Sequence, residues 1–284
     1  MATTETTNTK KYFSTSQLDM IARCPEQYRR RYIEKEVLPP GISLVRGRGF
    51  PPRAEMHRKQ KMEHHENLTA RDTTDASVAE FERTIDNEGL ELNADEKSIG
   101  PRKVIAEAKD ELVCLADCHA HEQAPEYQPT MVEERLRIEL PGERDLLGVI
   151  DLADDRERVT DFKTAARSKS QADADKSTQL TVYSVLYKAK TGNEPSEVRL
   201  DTAVKTKTQV KRQLLRSRRT EADRIALANR IDSMAKMVEA GVFIPADPGS
   251  WVCDAKWCGY HATCPFVNGT GNKTIVDLTV PKKK

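Results

Sequence analysis

Residues 148–183, GVIDLADDRERVTDFKTAARSKSQADADKSTQLTVY, decide the fold and the chemistry that we expect of this 284-residue chain. Two apolar runs typical of sheet strands end near Asp151 and Asp161, and a helical pattern follows over about 172–190. Lys163 lies two residues after Asp161, so a strand projects both side chains from one face. Carboxylates can hold a divalent cation, and a nearby lysine can orient a water or stabilise charge that develops on a phosphate. These residues favour hydrolysis of a phosphodiester.

Three ordered motifs in this stretch carry a resemblance to a known family. They are G-x-x-D, D-x-K and Q-x-x-x-Y, at residues 148–151, 161–163 and 179–183. Together they resemble the RecB-like branch of the PD-(D/E)xK nuclease superfamily. A D-x-K triplet alone occurs by chance on many surfaces, whereas three motifs in this order within 36 residues are specific. The resemblance implies an α/β fold with a restriction-endonuclease-like core, in which helices flank a mixed central sheet.

The resemblance also implies an active site. Two carboxylates and one backbone carbonyl group would bind one or two Mg²⁺ or Mn²⁺ ions: Asp151, Asp161 and Phe162. Lys163 would position the attacking water or stabilise the transition state. Gln179 and Tyr183, one helical turn apart, would organise the lysine and the DNA backbone. Without the resemblance, this pair would be the polar rim of an ordinary helix.

Two further ligands come from the family comparison. A histidine on an early helix contributes to the metal site there, and His57, eight residues after a glycine, fits that role. His64 and His65 are competing candidates, two helical turns further on. A glutamate often stands at the start of a nearby strand, and Glu134, in a strand predicted over 131–140, shares a face with apolar side chains. The alternative for Glu134 is a solvated position at the strand edge.

The six cysteines divide into two groups. Four of them resemble the ligands of a [4Fe–4S] cluster in RecB-like exonucleases of the AddB and CRISPR-associated types: Cys24, Cys253, Cys258 and Cys264. Four thiolates also suit tetrahedral zinc, which is the weaker alternative, and simple burial is the third. A metal that joins Cys24 to the three C-terminal cysteines would close a very long loop of the chain, which would give the metal a structural role. Cys114 and Cys118 follow an apolar helical stripe, which favours burial over a zinc site.

Composition and charge limit the classes of protein to which the chain could belong. Charged residues make up 32% and apolar residues 37% of the chain, as in soluble globular proteins. No apolar run approaches the roughly 18 residues of a membrane span, and the N-terminus has no apolar signal core. We therefore expect a cytoplasmic protein (in the host cytoplasm if phage-encoded) without a membrane partner. Net charge is only +1, but basic clusters at residues 29–31, 46–58 and 205–219 could contact DNA phosphates.

The domain organisation that we expect is a single nuclease domain over residues 13–268. A disordered arm would precede it at 1–12, and a basic tail with weak DNA affinity would follow at 269–284. Residues 72–127 lie outside the resemblance and would form a helical insertion or cap. Cys24 and the C-terminal cysteines would tie the two ends together. The chain has no phosphate-loop motif, so a helicase or recombination partner would be a separate protein.

The resemblance implies a function as well as a fold. Its cluster-bearing members suggest an exonuclease that acts on single-stranded DNA ends by two-metal hydrolysis, in recombination, repair or phage DNA metabolism. Two alternatives remain open: a structure-selective endonuclease on the same core, and a non-cleaving iron–sulfur accessory subunit that binds DNA. The intact Asp151, Asp161 and Lys163 weigh against the non-cleaving alternative.

Overall fold

The computed structural model describes five ranges of the chain: 11–49, 51–67, 69–142, 144–206 and 209–268. The chain divides into two compact units. The sheet unit comprises Met1–Asp19 and Val37–Val242, and the cysteine unit comprises Met20–Glu36 and Phe243–Lys284. Most of the predicted N-terminal arm and the whole basic tail lie outside the described residues. No helix in the described ranges is long and apolar enough to cross a membrane.

Within the described residues, the sheet unit contains a six-stranded sheet. Its strands are β1 (Lys11–Ser14), β2 (Pro129–Ile138), β3 (Arg144–Asp154), β4 (Arg158–Ala165), β5 (Glu197–Lys205) and β6 (Val210–Ser217). The strand order is β1-β3-β4-β5-β6, and β2 also pairs with β3. Strand β1 is parallel to β3 and β4 is parallel to β5, whereas the other pairs are antiparallel. The predicted mixed sheet is confirmed.

Helices flank this sheet, as the sequence predicted. The α-helices of the described residues, taken over both units, are α1 (Thr15–Arg23), α2 (Pro25–Tyr28), α3 (Ile42–Gly49), α4 (Pro51–His64), α5 (Ala70–Glu88), α6 (Ala94–Ile99), α7 (Pro101–Cys118), α8 (Gln171–Asp175), α9 (Thr178–Thr191), α10 (Glu221–Glu239) and α11 (Pro265–Asn268), of which α2 and α11 belong to the cysteine unit. Pro25 begins α2, where its missing N–H costs no helical hydrogen bond. Gly192 ends α9 in the left-handed conformation that favours glycine.

Strand β3 shares one of its edges between two partners. Strand β1 pairs with residues 144–147, and β4 pairs with Leu152 and Ala153. Between these two ladders, residues 148–151 have no strand partner on that edge in the described part of the chain. We call this interval the ladder gap. It contains both Gly148 and Asp151 of the G-x-x-D motif.

Gly148 allows α9 to approach β3 closely. A Cβ atom at this position would lie 2.4 Å from Cδ1 of Leu186 and 3.4 Å from Cγ1 of Val182. Both of these α9 side chains are fully buried. Since a side chain of any size would push α9 away, the glycine of the motif has a packing role. That packing sets the separation between β3 and the helix that carries Gln179 and Tyr183.

Residues 72–127 contain most of α5 and the whole of α6 and α7. A capping box at Asn93 starts α6. Helices α5 and α7 build a hydrophobic core around Phe81, Leu112 and Leu115. Ala203 of β5 belongs to the same core, so this region packs on the sheet.

The cysteine unit is organised around Arg30. The guanidinium donates to the carboxylate of Glu36, with Nε to Oε2 at 2.7 Å, and Nη2 donates to Oγ1 of Thr263 at 2.6 Å. It also lies over the ring of Tyr260, 4.6 Å from the centroid. Tyr260 Oη donates to the backbone oxygen of Glu36 at 2.6 Å. One buried arginine therefore joins the two chain segments that make up this unit.

Candidate active site

The carboxylate of Asp151 is held by donors from two different elements. Tyr183 Oη, on α9, donates to Oδ1 at 2.6 Å, and the backbone N–H of Phe162, on β4, donates to Oδ2 at 2.9 Å. Gln179 Nε2 donates to Tyr183 Oη at 2.9 Å. In the ladder gap, the Asp151 carboxylate thus accepts the hydrogen bond from the N–H of Phe162 that the backbone carbonyl of a paired strand would otherwise accept. The structure brings residues of all three sequence motifs into one hydrogen-bonded group.

Asp161 and Lys163 complete this group. Asp161 is buried, and its Oδ1 accepts a hydrogen bond from Lys163 Nζ at 2.6 Å. Burial raises the pKa of Asp161 to about 7, and the nearby Asp151 adds to this while Lys163 opposes it. Burial alone would lower the pKa of Lys163, but the carboxylates of Asp161 and Asp151 outweigh it and raise that pKa. Two carboxylates beside one ammonium leave an excess of negative charge, which a divalent cation would offset.

Arg58 and Glu133 flank Asp151, and neither was predicted to do so. Arg58 Nη2 donates to Oε1 of Glu133 at 3.1 Å, and its guanidinium lies 4.6 Å from the centroid of the Phe162 ring. Burial, followed by the charge of Asp151, raises the pKa of Glu133 to about 7. Burial lowers the pKa of Arg58, which Asp151 and Glu133 counteract. The surroundings of Asp151 therefore contain a third acid and a buried cation.

Glu133, rather than the predicted Glu134, lies beside Asp151. On β2, Val132 pairs with Leu152 and Glu134 pairs with Ile150, which sets Glu133 opposite Asp151. Glu133 has a φ of 49°, an unfavourable value for a residue with a side chain. Glu134 forms an ion pair with Lys190 at 3.0 Å, and both side chains are partly exposed. The alternation used to choose Glu134 selects the face that it shares with Val132 and Leu136, and so it passes over Glu133.

His57 is fully buried on α4. Its Nε2 lies 3.3 Å from Oδ1 of Asn67, and its ring meets His119 edge to face, with 5.3 Å between centroids. His119 in turn contacts the ring of Phe162, at 6.1 Å. Burial lowers the pKa of His57, which favours the neutral imidazole that a metal requires. The competing histidines are exposed: His64 and His65.

The donors around Asp151 suit a divalent cation. The negative charge of Asp151 contributes to the raised pKa of Asp161, because the two carboxyl groups lie near each other. Nδ1 of His57 is buried and has no hydrogen-bond partner in the described part of the chain. Among the described residues, no group of three or more His, Cys, Asp or Glu side chains is placed so as to hold a metal ion. The chemistry of the oxygen donors nevertheless fits Mg²⁺ or Mn²⁺.

Comparison with known proteins identifies the family. The model of the PD-(D/E)XK nuclease superfamily matches residues 12–265, which is most of the chain. The chain belongs to the PD-(D/E)XK nuclease superfamily. This membership makes the protein a DNA nuclease. A search of curated protein sequences found no match.

One of two similar solved structures supports the fold of this PD-(D/E)XK nuclease. A protein from Eubacterium rectale, assigned by name as an exonuclease, aligns with a TM-score of 0.52 and 13% identity, over 97% of this chain and 96% of that one. The protein SSO0001 aligns with a TM-score of 0.39 and 14% identity, over 94% of this chain and 89% of that one. At these identities the first likeness supports the fold alone, and the second carries no weight.

The PD-(D/E)XK nuclease contains a second buried polar network beside the site. Asp201, on β5, accepts hydrogen bonds from Arg212 Nη2 at 2.7 Å, from Tyr127 Oη at 2.6 Å and from Gln123 Nε2 at 2.9 Å. Gln123 Oε1 also lies 3.1 Å from Nδ1 of His119. The network thus fixes His119, whose ring touches both His57 and Phe162.

The four cysteines predicted to hold a cluster line one cavity of the cysteine unit, with a volume of about 160 Å³: Cys24, Cys253, Cys258 and Cys264. All four are free thiols. The N–H of Ala246 donates to Sγ of Cys24 at 3.4 Å, and Gln27 Nε2 donates to Sγ of Cys258 at 3.2 Å. Burial raises the pKa of Cys253, and the neighbouring thiols raise it further. This donor set is chemically suited to a thiolate-bound metal.

The other two cysteines differ from each other. Cys118 is buried, whereas Cys114 is exposed on α7. The expected burial of both was wrong for Cys114, because the helix turns that position towards solvent. Burial raises the pKa of Cys118 to about 12, so its thiol stays neutral near pH 7.

Many of the clustered basic residues of the nuclease are paired. Arg46 binds Glu111 at 2.6 Å, and Arg212 binds Asp201. Within the described ranges, five exposed cations on β6, beside β6 and in the loop after β4 form no ion pair: Arg167, Lys169, Lys211, Arg216 and Arg218. The N–H of Lys169 donates to Oε1 of Gln213 at 2.7 Å, which joins that loop to β6. We call these five residues the basic strip.

Proposed function

We propose that this nuclease is a RecB-like, Mg²⁺- or Mn²⁺-dependent exonuclease that acts on single-stranded DNA ends. The observation that carries the proposal is that Asp151 accepts hydrogen bonds from Tyr183 and from the N–H of Phe162, the residue between the paired Asp161 and Lys163. This arrangement joins the G-x-x-D, D-x-K and Q-x-x-x-Y motifs that resemble the RecB-like branch. The proposed setting is recombination, repair or phage DNA metabolism in the cytoplasm, with any helicase on a separate chain.

The metal ligands in this proposal are two carboxylates, a backbone carbonyl and an imidazole: Asp151, Asp161, Phe162 and His57. When bound, Mg²⁺ or Mn²⁺ supplies a Lewis acid that polarises the phosphate and activates a water. Glu133 takes the place first expected of Glu134 as the nearby acid. Its pKa of about 7 reflects burial first and the negative charge of Asp151 second.

The protein's own groups fix the reacting geometry. Tyr183 and the N–H of Phe162 each hold one oxygen of Asp151, so that carboxylate cannot rotate freely. Lys163 Nζ, which donates to Asp161, would orient the attacking water or stabilise charge on the phosphate. Attack of water on phosphorus then breaks the bond to the 3′ oxygen and leaves a 5′-phosphate.

The basic strip is the proposed path of the DNA backbone. Because its five cations lack acidic partners in the described ranges, they can neutralise phosphate groups without first breaking an ion pair. Binding should therefore weaken steeply with salt concentration, as counterions compete for the DNA. Contacts of this kind position the strand without reading its sequence.

The cysteine cavity is the proposed site of a structural [4Fe–4S] cluster, with zinc as the weaker alternative. Support comes from the four thiols that line one cavity and from the two N–H donors directed at their sulfurs. Anaerobic loading with iron and sulfide should give the visible absorption of a cluster. Cys258→Ser should reduce it, whereas the exposed Cys114→Ser is the matched control and should not.

The function is tested with end-labelled linear and circular single-stranded DNA in Mg²⁺ or Mn²⁺. Loss of linear DNA alone, abolished by Lys163→Ala and retained by the surface control Lys190→Ala, is the expected result. Cleavage of circles by the wild type would instead favour a structure-selective endonuclease. A lack of metal-dependent cleavage by cluster-loaded, anaerobically prepared protein would favour a non-cleaving DNA-binding subunit.

A further inference from the structure

The two tryptophans of the chain lie together on the cysteine unit, and both face solvent. Trp251 is 60% exposed and Trp257 is 62% exposed, and their rings meet edge to face with 6.4 Å between centroids. Large aromatic side chains are usually buried in good part, because burial is what makes their apolar surface stabilising. An exposed pair of this kind indicates a surface that receives a ligand.

A tight turn presents the two rings in a fixed arrangement. The N–H of Asp254 donates to the oxygen of Trp251 at 3.2 Å, and the N–H of Trp257 donates to the oxygen of Asp254 at 2.9 Å. The side chain of Asp254 also accepts from the N–H of Lys256 at 2.7 Å. Since the backbone is already ordered, little conformational entropy remains to be lost when a ligand binds.

The chemistry of the pair suits unpaired nucleotide bases. Both rings are largely exposed, and every base offers a face that can stack on an exposed aromatic ring regardless of its sequence. Lys256 Nζ lies 6.0 Å from the centroid of the Trp257 ring, so a positive charge that favours a polyanionic ligand lies beside the pair. Duplex DNA hides its base faces within its own stack, so a stacking surface selects single strands.

We propose that Trp251 and Trp257 form a stacking platform for the bases of single-stranded DNA. This inference rests on the proposed function, because it takes a single strand as the substrate. It adds a binding element outside the sheet unit, and it does not depend on cleavage. The partner that the platform receives is a short run of unpaired bases rather than a duplex.

The sequence makes this platform directly observable. Trp251 and Trp257 are the only tryptophans, so all intrinsic tryptophan fluorescence comes from the two rings. We would titrate the full-length Lys163→Ala variant with oligothymidylate in EDTA, so that no strand is cut. Saturable quenching of the fluorescence is expected, and a duplex of the same length should produce little.

Substitutions then separate stacking from general binding. Trp257→Ala should weaken oligothymidylate binding about ten-fold, as loss of one stacked base predicts, while Trp257→Phe should keep most of the affinity. Ile244→Ala is the matched control, since it removes another exposed apolar side chain of the same unit and should change nothing. Thermal unfolding of each variant would check that the unit still folds.

Several results would overturn the platform. These are equal quenching by single-stranded and duplex DNA, or unchanged affinity after replacement of both tryptophans by alanine. Self-association that the double substitution abolishes, without an effect on DNA affinity, would make the patch a protein interface instead. If the protein cleaves no DNA but oligothymidylate still quenches the tryptophan fluorescence, the proposed nuclease function is wrong and the stacking platform is supported.

Discussion

The hydroxyl group of Tyr183 donates a hydrogen bond to Oδ1 of Asp151 at 2.6 Å, and so links α9 to the ladder gap of β3. Tyr183 is buried. Burial and the charges of Asp151 and Asp161 raise its pKa, so the phenol remains protonated and keeps donating. The orientation of one carboxylate in the candidate site therefore depends on a helix that packs behind the sheet.

Replacing Tyr183 by phenylalanine should slow cleavage of linear single-stranded DNA. The variant keeps the ring but leaves Oδ1 of Asp151 without its donor. Loss of an orienting partner of this kind costs about 10–100-fold in activity or metal affinity. Initial rates over a range of Mn²⁺ concentrations would measure both effects. Tyr187→Phe, one turn further along the same helix, is the control, and equal rates for the two variants would contradict the assigned role.

Gly148→Ala should destabilise the protein by about 1–3 kcal/mol, because its Cβ would lie only 2.4 Å from Cδ1 of Leu186. Urea unfolding would measure the change. Adding Leu186→Ala should make the double variant less destabilised than the two single changes added together, since the residues share one space. Gly41→Ala is the control, because its nearest contact would be an ordinary 3.8 Å. Additive effects at 148 and 186 would refute the packing argument.

Glu133→Gln and Glu134→Gln should have different effects on cleavage. Glu133 lies opposite Asp151 and binds the buried Arg58, so its substitution should lower the cleavage rate and alter the Mg²⁺ requirement. Glu134 contacts only the partly exposed Lys190 among the described side chains, and surface pairs of this kind contribute little. Cleavage rates of both variants at several Mg²⁺ concentrations would show which glutamate acts in the site. A larger effect of Glu134→Gln would support the original prediction that Glu134 is the acid near the metal.

Asp201→Asn should be among the most destabilising single substitutions. Asp201 is fully buried and accepts from Arg212, Tyr127 and Gln123. Removing the charge leaves the Arg212 guanidinium without its buried partner, a loss of about 3–5 kcal/mol. Asp232→Asn breaks an exposed helical pair instead and should alter urea unfolding very little. Similar midpoints for the two variants would show that the network does not support the fold.

Alkylation should distinguish Cys114 from Cys118. Exposed Cys114 should react at pH 8, while Cys118, whose pKa burial raises to about 12, should react only after unfolding. A thiol pKa raised on folding stabilises the protein fully below the unfolded pKa near 9 and loses that contribution as pH rises towards 12. Mass spectrometry after timed labelling would locate the adducts. Equal labelling of both thiols in the folded protein would be the contrary result.

The three motifs could be read from the sequence because their spacing encodes local geometry. Asp161 and Lys163 share a strand face, and Gln179 and Tyr183 share a helix face, whatever the rest of the chain does. Glu133 could not be found this way, since the alternation along β2 selects the face that carries Glu134, and Glu133 lies between the residues of that face. Its partner, Arg58, lies 75 residues earlier, and no local pattern announces that an arginine will be buried.

The same distinction holds for the buried network and the cysteines. Asp201 and Gln123 are 78 residues apart, so neither has a sequence neighbour that predicts their hydrogen bond. The apolar stripe of α7 correctly predicted that Cys118 is buried. The same stripe wrongly predicted burial of Cys114, which lies one turn earlier on the helix. Local periodicity thus predicted the helices and strands and the faces that they bury. The hydrogen bonds between segments that are distant in sequence could be seen only in the folded structure.

The layout of the cysteine unit has a consequence for protein synthesis. Residues 20–36 leave the ribosome long before their partners do: Arg30 meets Tyr260, 230 positions later, and Cys24 meets Ala246, 222 positions later. At about 5–20 residues per second, translation supplies those partners roughly 10–45 seconds afterwards. Until then, nothing from the later segment can cover Cys24 or Tyr28. Synthesis that stops before residue 243 would leave the early half of this unit without its other half.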